Sequence, residues 1–470
     1  MRIASGSAII HHFAPKTSFF MSLGACRLNR RILVVIVGLG AGLSLVSCGG
    51  SSKAKGPPSG LRERVLVSQG VTSAQTFGGL VTVNGHYDTI APVAPLSAGS
   101  SPGLMAISPT RNIVMAFDES SNSVYAVSTN KESNLGHVQL PGPTSSMVIP
   151  TATAIGYAAV PTATVNGYSF VGAVEVMNLS AGSIITTIAV SNAQTVVSNS
   201  TGSQLLVFSN DSDSMTVLSP NIAVPPVDTS CFSNLQNGVC TSVPGFNRPV
   251  YAIVSGSTAY ILNCGLQCGG SLPASVAVFD LGSLTISNTI PVDGATWAFL
   301  SGLTLYVAGT PPPATPGANT CTGGPQTAAT SCGRLDIVDL GSMTVTNTYI
   351  ITDGYHDRMD MSSNGQLFIG SYNCTNIGNI NNPTSGEIRG CLTILNTTKG
   401  QLVIPPDNGD VDGLQGFINR YIEYVAEGGN LRVYDTTKDI LYINTYNDYL
   451  PTGTIPVVGY VGDVKAIDFF

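Results

Sequence analysis

The stretch 276–308, VAVFDLGSLTISNTIPVDGATWAFLSGLTLYVA, reads as four short strands in succession. VAVFD ends at a turn, Leu281-Gly282-Ser283, and ISNTIPV and ATWAFLS follow. Gly302 then turns the chain into LTLYVAG. A near copy, LDIVDLGSMTVTNTYII, opens at Leu335. Short apolar runs bounded by Gly, Ser and Asn are the signal of strands joined by tight turns. Such a unit cannot bury its own faces and must stack on further copies of itself. A repeat of this kind specifies an architecture without specifying a ligand.

The pattern extends along the chain in the order a, b, c, d, with a innermost. Inner strands are expected at 104–108, 146–150, 195–199, 250–254, 296–300, 358–362, 414–418 and 464–469. The third strand is the most regular, as in VEVMN (174–178), VAVFD (276–280) and LRVYD (431–435). Seven complete repeats precede a lone inner strand at the C-terminus. The partners it lacks are at the other end of the chain, at 64–68, 80–84 and 88–96. Pairing across the termini closes a ring and removes exposed sheet edges. Only 10% of the 470 residues are charged, with 52 Gly and 28 Pro, which suits an all-β chain with many turns. The fold expected is a single all-β propeller of four-stranded antiparallel blades over 61–470. Eight blades are counted, with seven as the alternative.

Ala259-Tyr260-Ile261-Leu262-Asn263, Leu305-Tyr306-Val307-Ala308 and Tyr424-Val425-Ala426-Glu427 resemble the second strand of YVTN-type β-propeller repeats. The V-x-V-φ-D runs ending at Asp280, Asp339 and Asp435 resemble the strand that follows it. The resemblance implies a propeller and little about function, since the family includes surface-layer and adhesion-like proteins and a lactonase branch. The chain departs from the family at most turns and carries no catalytic motif of the lactonase or lyase branches.

The N-terminus reads as a targeting segment. Arg27, Arg30 and Arg31 precede an apolar run at 32–43, which ends in Leu45-Val46-Ser47-Cys48. This resembles a bacterial lipobox. Residues 1–47 would be the signal peptide, Cys48 the lipidated residue and 48–60 a flexible Gly/Ser/Pro tether. The start is at Met1 or Met21. The expected location is the cell envelope, as a membrane-anchored lipoprotein. Residues 1–47 hold five basic and no acidic side chains, so the remainder has 15 basic and 27 acidic, net −12. With no basic patch, nucleic acid is not an expected partner.

Eight cysteines follow Cys48, in close pairs: Cys231/Cys240, Cys264/Cys268, Cys321/Cys332 and Cys374/Cys391. In an exported chain an even set reads as disulfides, here paired with nearest neighbours. Zinc at Cys264-x3-Cys268 would need two further ligands, and only His86, His137 and His356 follow the signal.

In an antiparallel blade the a–b and c–d turns share one face, and the b–c and d–a loops share the other. The a–b and c–d turns read as tight. The long insertions at 264–270, 321–332 and 374–391 read as b–c loops and 228–247 as a d–a loop, so all four cysteine pairs are expected on one face. Long loops on a rigid scaffold are where binding concentrates. His356, Asp357, Arg358 and Asp360 lead into an inner strand and form a candidate polar site at the channel mouth. Asp410 and Asp412, in Asp407-Asn408-Gly409-Asp410-Val411-Asp412-Gly413, are further candidates. Their spacing resembles part of a calcium loop without its terminal Glu. Arg248 stands at another inner-strand entrance. Trp297 is expected in the core between blades. No metal or other cofactor is assigned, zinc and calcium being those weighed, and no catalytic residue is named. The leading reading is a monomeric binding module for a protein or glycan. A hydrolase or lyase at the channel mouth and a structural envelope protein are the alternatives.

Overall fold

The computed structural model describes residues 57–468, apart from 74, 210, 221–226, 229–239, 313–331, 376–389, 406–408, 419 and 438–452. The signal segment, Cys48, Cys231, Cys321 and Asp407 therefore lie outside the described residues. Eight antiparallel sheets stand in a ring and form a β-propeller. Their inner strands, taken as blades 1 to 8, are Pro102–Ile107, Ser146–Val148, Thr195–Ser198, Pro249–Ser255, Trp297–Ser301, Tyr355–Met361, Val411–Gly416 and Tyr460–Asp468. Blade 8 is built from both ends of the chain. The inner strand Tyr460–Asp468 pairs antiparallel with Glu63–Gly70, and Gly79–Asn84 and Thr89–Ile90 complete the sheet.

Strand position within a blade explains the sequence pattern. Second and third strands are sandwiched between neighbouring blades and are buried on both faces, as in Ile113–Asp118 and Leu392–Asn396. They therefore read as continuous apolar runs instead of alternating ones. Outer strands such as Thr285–Pro291 keep mostly exposed Thr, Ser and Asn. The apolar clusters lie between blades. One joins Val65, Val67 and Val464 of blade 8 to Tyr424 and Val433 of blade 7. Phe208 and Phe279, both fully buried, belong to the cluster between blades 3 and 4. Burying a side chain of that size contributes about 2–3 kcal/mol.

The repeated V-x-V-φ-D run has a local cause. The Asp280 carboxylate accepts hydrogen bonds from the backbone N–H of Gly282 (3.0 Å) and Ser283 (2.6 Å) and from the Ser283 hydroxyl (2.8 Å). Asp339 does the same with Gly341 and Ser342, both at 2.9 Å. An Asp at that point folds the c–d turn over its own side chain. Backbone donation from Ser283 and Gly341 respectively holds both carboxyls below their usual range. The turn closes with Leu284 or Met343 in the left-handed region, at φ 55° and 57°.

One expected loop is different. Cys240–Pro244 is the outer strand of blade 3, paired with Ser214–Leu218. The segment 228–247 is thus not a d–a loop. The insertion is the c–d connection 219–239, on the opposite face, and Val227–Asp228 within it pairs parallel with the outer strand of blade 2. A second long c–d connection, 436–452, lies between Asn430–Asp435 and Gly453–Ile455. Insertions therefore join strand ends on both faces, and Cys240 is not on the face that carries the other pairs. The strand was hidden because CTSVP has the composition of a turn, and only its pairing partner makes it a strand.

Candidate functional site at the channel mouth

The inner strands surround a chamber of about 560 Å³ on the propeller axis. Its wall includes Met105, Ser146, Val196, Tyr251, Trp297 and Arg358, one from each of blades 1 to 6, together with Asp463 and Lys465 of blade 8. Trp297 lies on this wall and stacks on Tyr251 of the neighbouring blade, with ring centroids 3.8 Å apart and planes at 20°. It is a channel residue, not one enclosed between blades.

Five inner strands share an irregularity at their leading end. In blades 1, 4, 6, 7 and 8 the strand holds one residue more than its partner. The extra residue is Val250 in blade 4, Asp357 in blade 6, Asp412 in blade 7 and Gly462 in blade 8. A bulge re-aims the side chains around it and increases local twist. Here it brings Asp357, Arg358, Asp412 and Asp463, from three consecutive blades, to the b–c and d–a end of the channel.

Arg358 organises this cluster. Its Nη1 donates to the Asp357 carboxylate at 2.9 Å and to the Asp357 carbonyl at 2.8 Å, and its Nε donates to the Asp412 carbonyl at 3.0 Å. Tyr460 donates its hydroxyl to Asp412 Oδ2 at 2.6 Å. Lys465 Nζ bonds both oxygens of the buried Asp463, at 2.9 and 3.0 Å, and the Met105 N–H adds a third contact at 2.7 Å. Burial raises Asp357 to about 6. Arg358 opposes that rise, and Asp412, Asp463 and Asp410 add to it. Burial likewise raises Asp412 and takes Tyr251 up to about 12. Burial alone would lower Arg358, but Asp357, Asp463 and Asp412 outweigh it and hold the guanidinium charged. Asp357 Oδ1 is buried without a hydrogen-bond partner.

The other sequence candidates fall elsewhere. His356 is fully buried against Gly333 of blade 5, with Nε2 3.0 Å from the Thr352 carbonyl. Burial lowers it to about 4, which keeps the ring neutral, and it does not line the chamber. Asp360 faces blade 7, where the Gly416 N–H donates to it at 2.9 Å. Burial raises its pKa, and that of the adjacent Glu423 well above the usual range. Arg248 turns toward Asp213, with its backbone N–H 3.1 Å from that carboxylate. Asp410 accepts the Asn373 N–H at 2.8 Å and so braces the loop closed by Cys374–Cys391. Cys264 is joined to Cys268, and Cys240 and Cys332 are also disulfide-bonded. Among the described residues no group of three or more His, Cys, Asp or Glu side chains is gathered to hold a metal.

Sequence reasoning missed Asp463, Lys465 and Tyr460. A signal was present: Tyr-His-Asp357, Asp-Val-Asp412 and Val-Gly-Asp463 each place an Asp within the first four residues of an inner strand, at the bulge in blades 6 and 7 and one residue past it in blade 8. In the sequence alone, the C-terminal copy stands out only as the strand that closes the ring.

No family model and no curated protein matches the chain. Solved structures show the same fold. The dihydro-heme d1 dehydrogenase NirN in complex with DHE is 10% identical, with a TM-score of 0.56 over 86% of this chain and 75% of that one. The Dos1 propeller is 10% identical, with a TM-score of 0.51 over 77% and 85%. The periplasmic gluconolactonase PpgL of Pseudomonas aeruginosa is 14% identical, at 0.44 over 86% and 99%.

Proposed function

We propose that the chain is an extracytoplasmic binding module, held to an envelope membrane through lipid on Cys48, that takes part of a protein or glycan at the channel mouth. The observation that carries the reading is the set of inner-strand bulges, which gather Asp357, Arg358, Asp412 and Asp463 beside the b–c loops. Strain and unpartnered buried polar atoms concentrate where a fold is shaped for something other than stability. The Tyr251–Trp297 stack beside this cluster offers an apolar face next to charge, a combination suited to a sugar ring or an aromatic side chain.

The test is capture on glycan and envelope-protein arrays by wild type, Arg358→Lys, Arg358→Ala and Asp357→Asn. A ligand held at the mouth loses tenfold or more in affinity with Arg358→Ala, on the order of the 1.5–3 kcal/mol of a hydrogen bond to a charged group. Arg248→Ala, remote from the cluster, leaves it unchanged. Undiminished capture by Arg358→Ala sinks the reading. A second reading, hydrolysis or elimination at the same mouth, is favoured by Asp357 alone: a carboxyl near pH 6 in a chamber suits general acid–base work. It predicts turnover of a captured ligand that Asp357→Asn abolishes without weakening capture.

A further inference from the structure

The propeller has two unlike faces, and the structure says which of them the N-terminal chain leaves from. Inner strands run toward the a–b face and second strands run back. Glu63, the first residue of a second strand, therefore stands on the a–b and c–d face. The chain is fixed there just before the strand begins. The Ser59 N–H and hydroxyl both donate to Glu132 at 2.6 Å, and Glu132 lies in the c–d turn of blade 1. Arg64 ties the same turn through the Thr129 carbonyl at 2.7 Å and through Glu132.

We infer that this a–b and c–d face rests on the lipid bilayer, with the channel mouth pointing away from it. The inference depends on the lipid anchor proposed above. Reach is the first argument. Whatever its conformation, the chain from Cys48 to Ser59 spans no more than about 36–40 Å. To lay the opposite face on the bilayer it would have to pass two outer strands, about 10 Å, and then run the height of a six-residue strand, about 20 Å, which consumes about three quarters or more of that span, whereas Ser59 already stands on the a–b and c–d face. Charge is the second argument. On the a–b and c–d face, Arg62, Arg111, Lys131, Lys399 and Arg420 stand among roughly as many carboxylates. On the other face Glu119, Asp211, Asp213, Asp293 and Asp353 add to the mouth cluster, against Arg248, Arg334, Arg358 and Lys465. An acidic face is repelled by anionic headgroups, and a mixed one is not.

Apolar exposure does not separate the faces, because Phe77 and Leu272 are as exposed on the mouth side as Tyr87 and Leu303 are on the other. It does say what touches lipid once reach and charge have chosen. Tyr87, Ile418 and Tyr421 project from adjoining turns of blades 8 and 7, where Gly85 packs on the Phe417 ring. Exposed aromatic and aliphatic side chains of this kind seat at the headgroup boundary.

The experiment uses the full acylated chain in phosphatidylcholine vesicles whose acyl chains are brominated. One variant carries Tyr421→Trp and another Leu272→Trp, with Trp297 as a constant background. Loss of emission in Tyr421→Trp alone is the expected result. Loss in Leu272→Trp alone, in both, or in neither overturns the orientation while leaving the anchor standing. A chain that carries no acyl group, or that stays on vesicles unchanged after Cys48→Ser, overturns the anchor and the orientation together.

Discussion

His356 and Arg358 lie two residues apart, and the bulge at Asp357 between them sends one into the blade interface and the other into the channel. Their titration behaviour differs accordingly, and so does that of the other buried groups. Burial raises Glu175 from 4.5 to about 7, and also raises Asp336, Asp360, Asp412 and Glu423. A carboxyl whose folded-state pKa is raised lends stability that is complete below its unfolded value, and this is lost as pH rises through the folded one. For Glu175 that window runs from about 4.5 to 7 and is worth up to about 3 kcal/mol. His356, lowered to about 4, acts in the opposite sense, and its contribution is lost as pH falls from 6.5 through 4. One histidine against these five carboxyls and Asp357 leaves the acids in control. The melting temperature should accordingly rise from pH 8 to about pH 5, and Glu175→Gln should flatten much of that slope. A melting temperature that is highest at pH 8 contradicts the assignment. At the mouth, capture of a ligand that touches Asp357 should change with an inflection near pH 6, and Asp357→Asn should remove it.

Strands were legible in this sequence wherever a blade buries both faces, because burial writes itself as uninterrupted apolar runs such as IVMAF and LLVFS. The inner strands were legible too, but only as strands. Nothing in YHDRMDM or VDGLQG announces the extra residue that turns Asp357 into the channel and sets Asp412 at its mouth. A bulge is a relation between two strands, and it leaves no mark on either alone. The same holds for Cys240–Pro244, whose identity as an outer strand depends on Ser214–Leu218 beside it. His356 was misleading for a related reason: composition shows a histidine among carboxylates, whereas register decides which side of the sheet it faces. The disulfides sit at the ends of such elements, and their effect should follow loop length. Cys374–Cys391 encloses a separation of 17 and Cys264–Cys268 one of 4. In the chain-entropy picture these are worth about 3 and 2 kcal/mol. Replacing Cys374 and Cys391 together by Ser should therefore lower the urea midpoint more than replacing Cys264 and Cys268. The reverse order would mean that native-state contacts around the 4-residue loop outweigh loop entropy.

At the level of the whole ring, one strand has a task the others do not. Tyr460–Asp468 pairs with Glu63–Gly70 along its whole length, and Val461, Val464, Ala466 and Ile467 are fully buried against blades 7 and 1. It also carries Asp463, whose carboxylate reaches the Met105 N–H of blade 1. Closure of the ring and construction of the mouth are thus the same event. Removal of residues 460–470 would leave Glu63–Gly70 as an open edge beside an exposed apolar face, at a cost of several kcal/mol from those four side chains alone. A domain with ordinary net stability does not survive such a loss. The truncated chain should aggregate or lose cooperative melting. The same segment moved by circular permutation to precede residue 57 through a flexible linker should restore both melting and capture at the mouth. Truncation that leaves a cooperative transition would mean that seven blades hold together unaided and that the eighth serves the site alone.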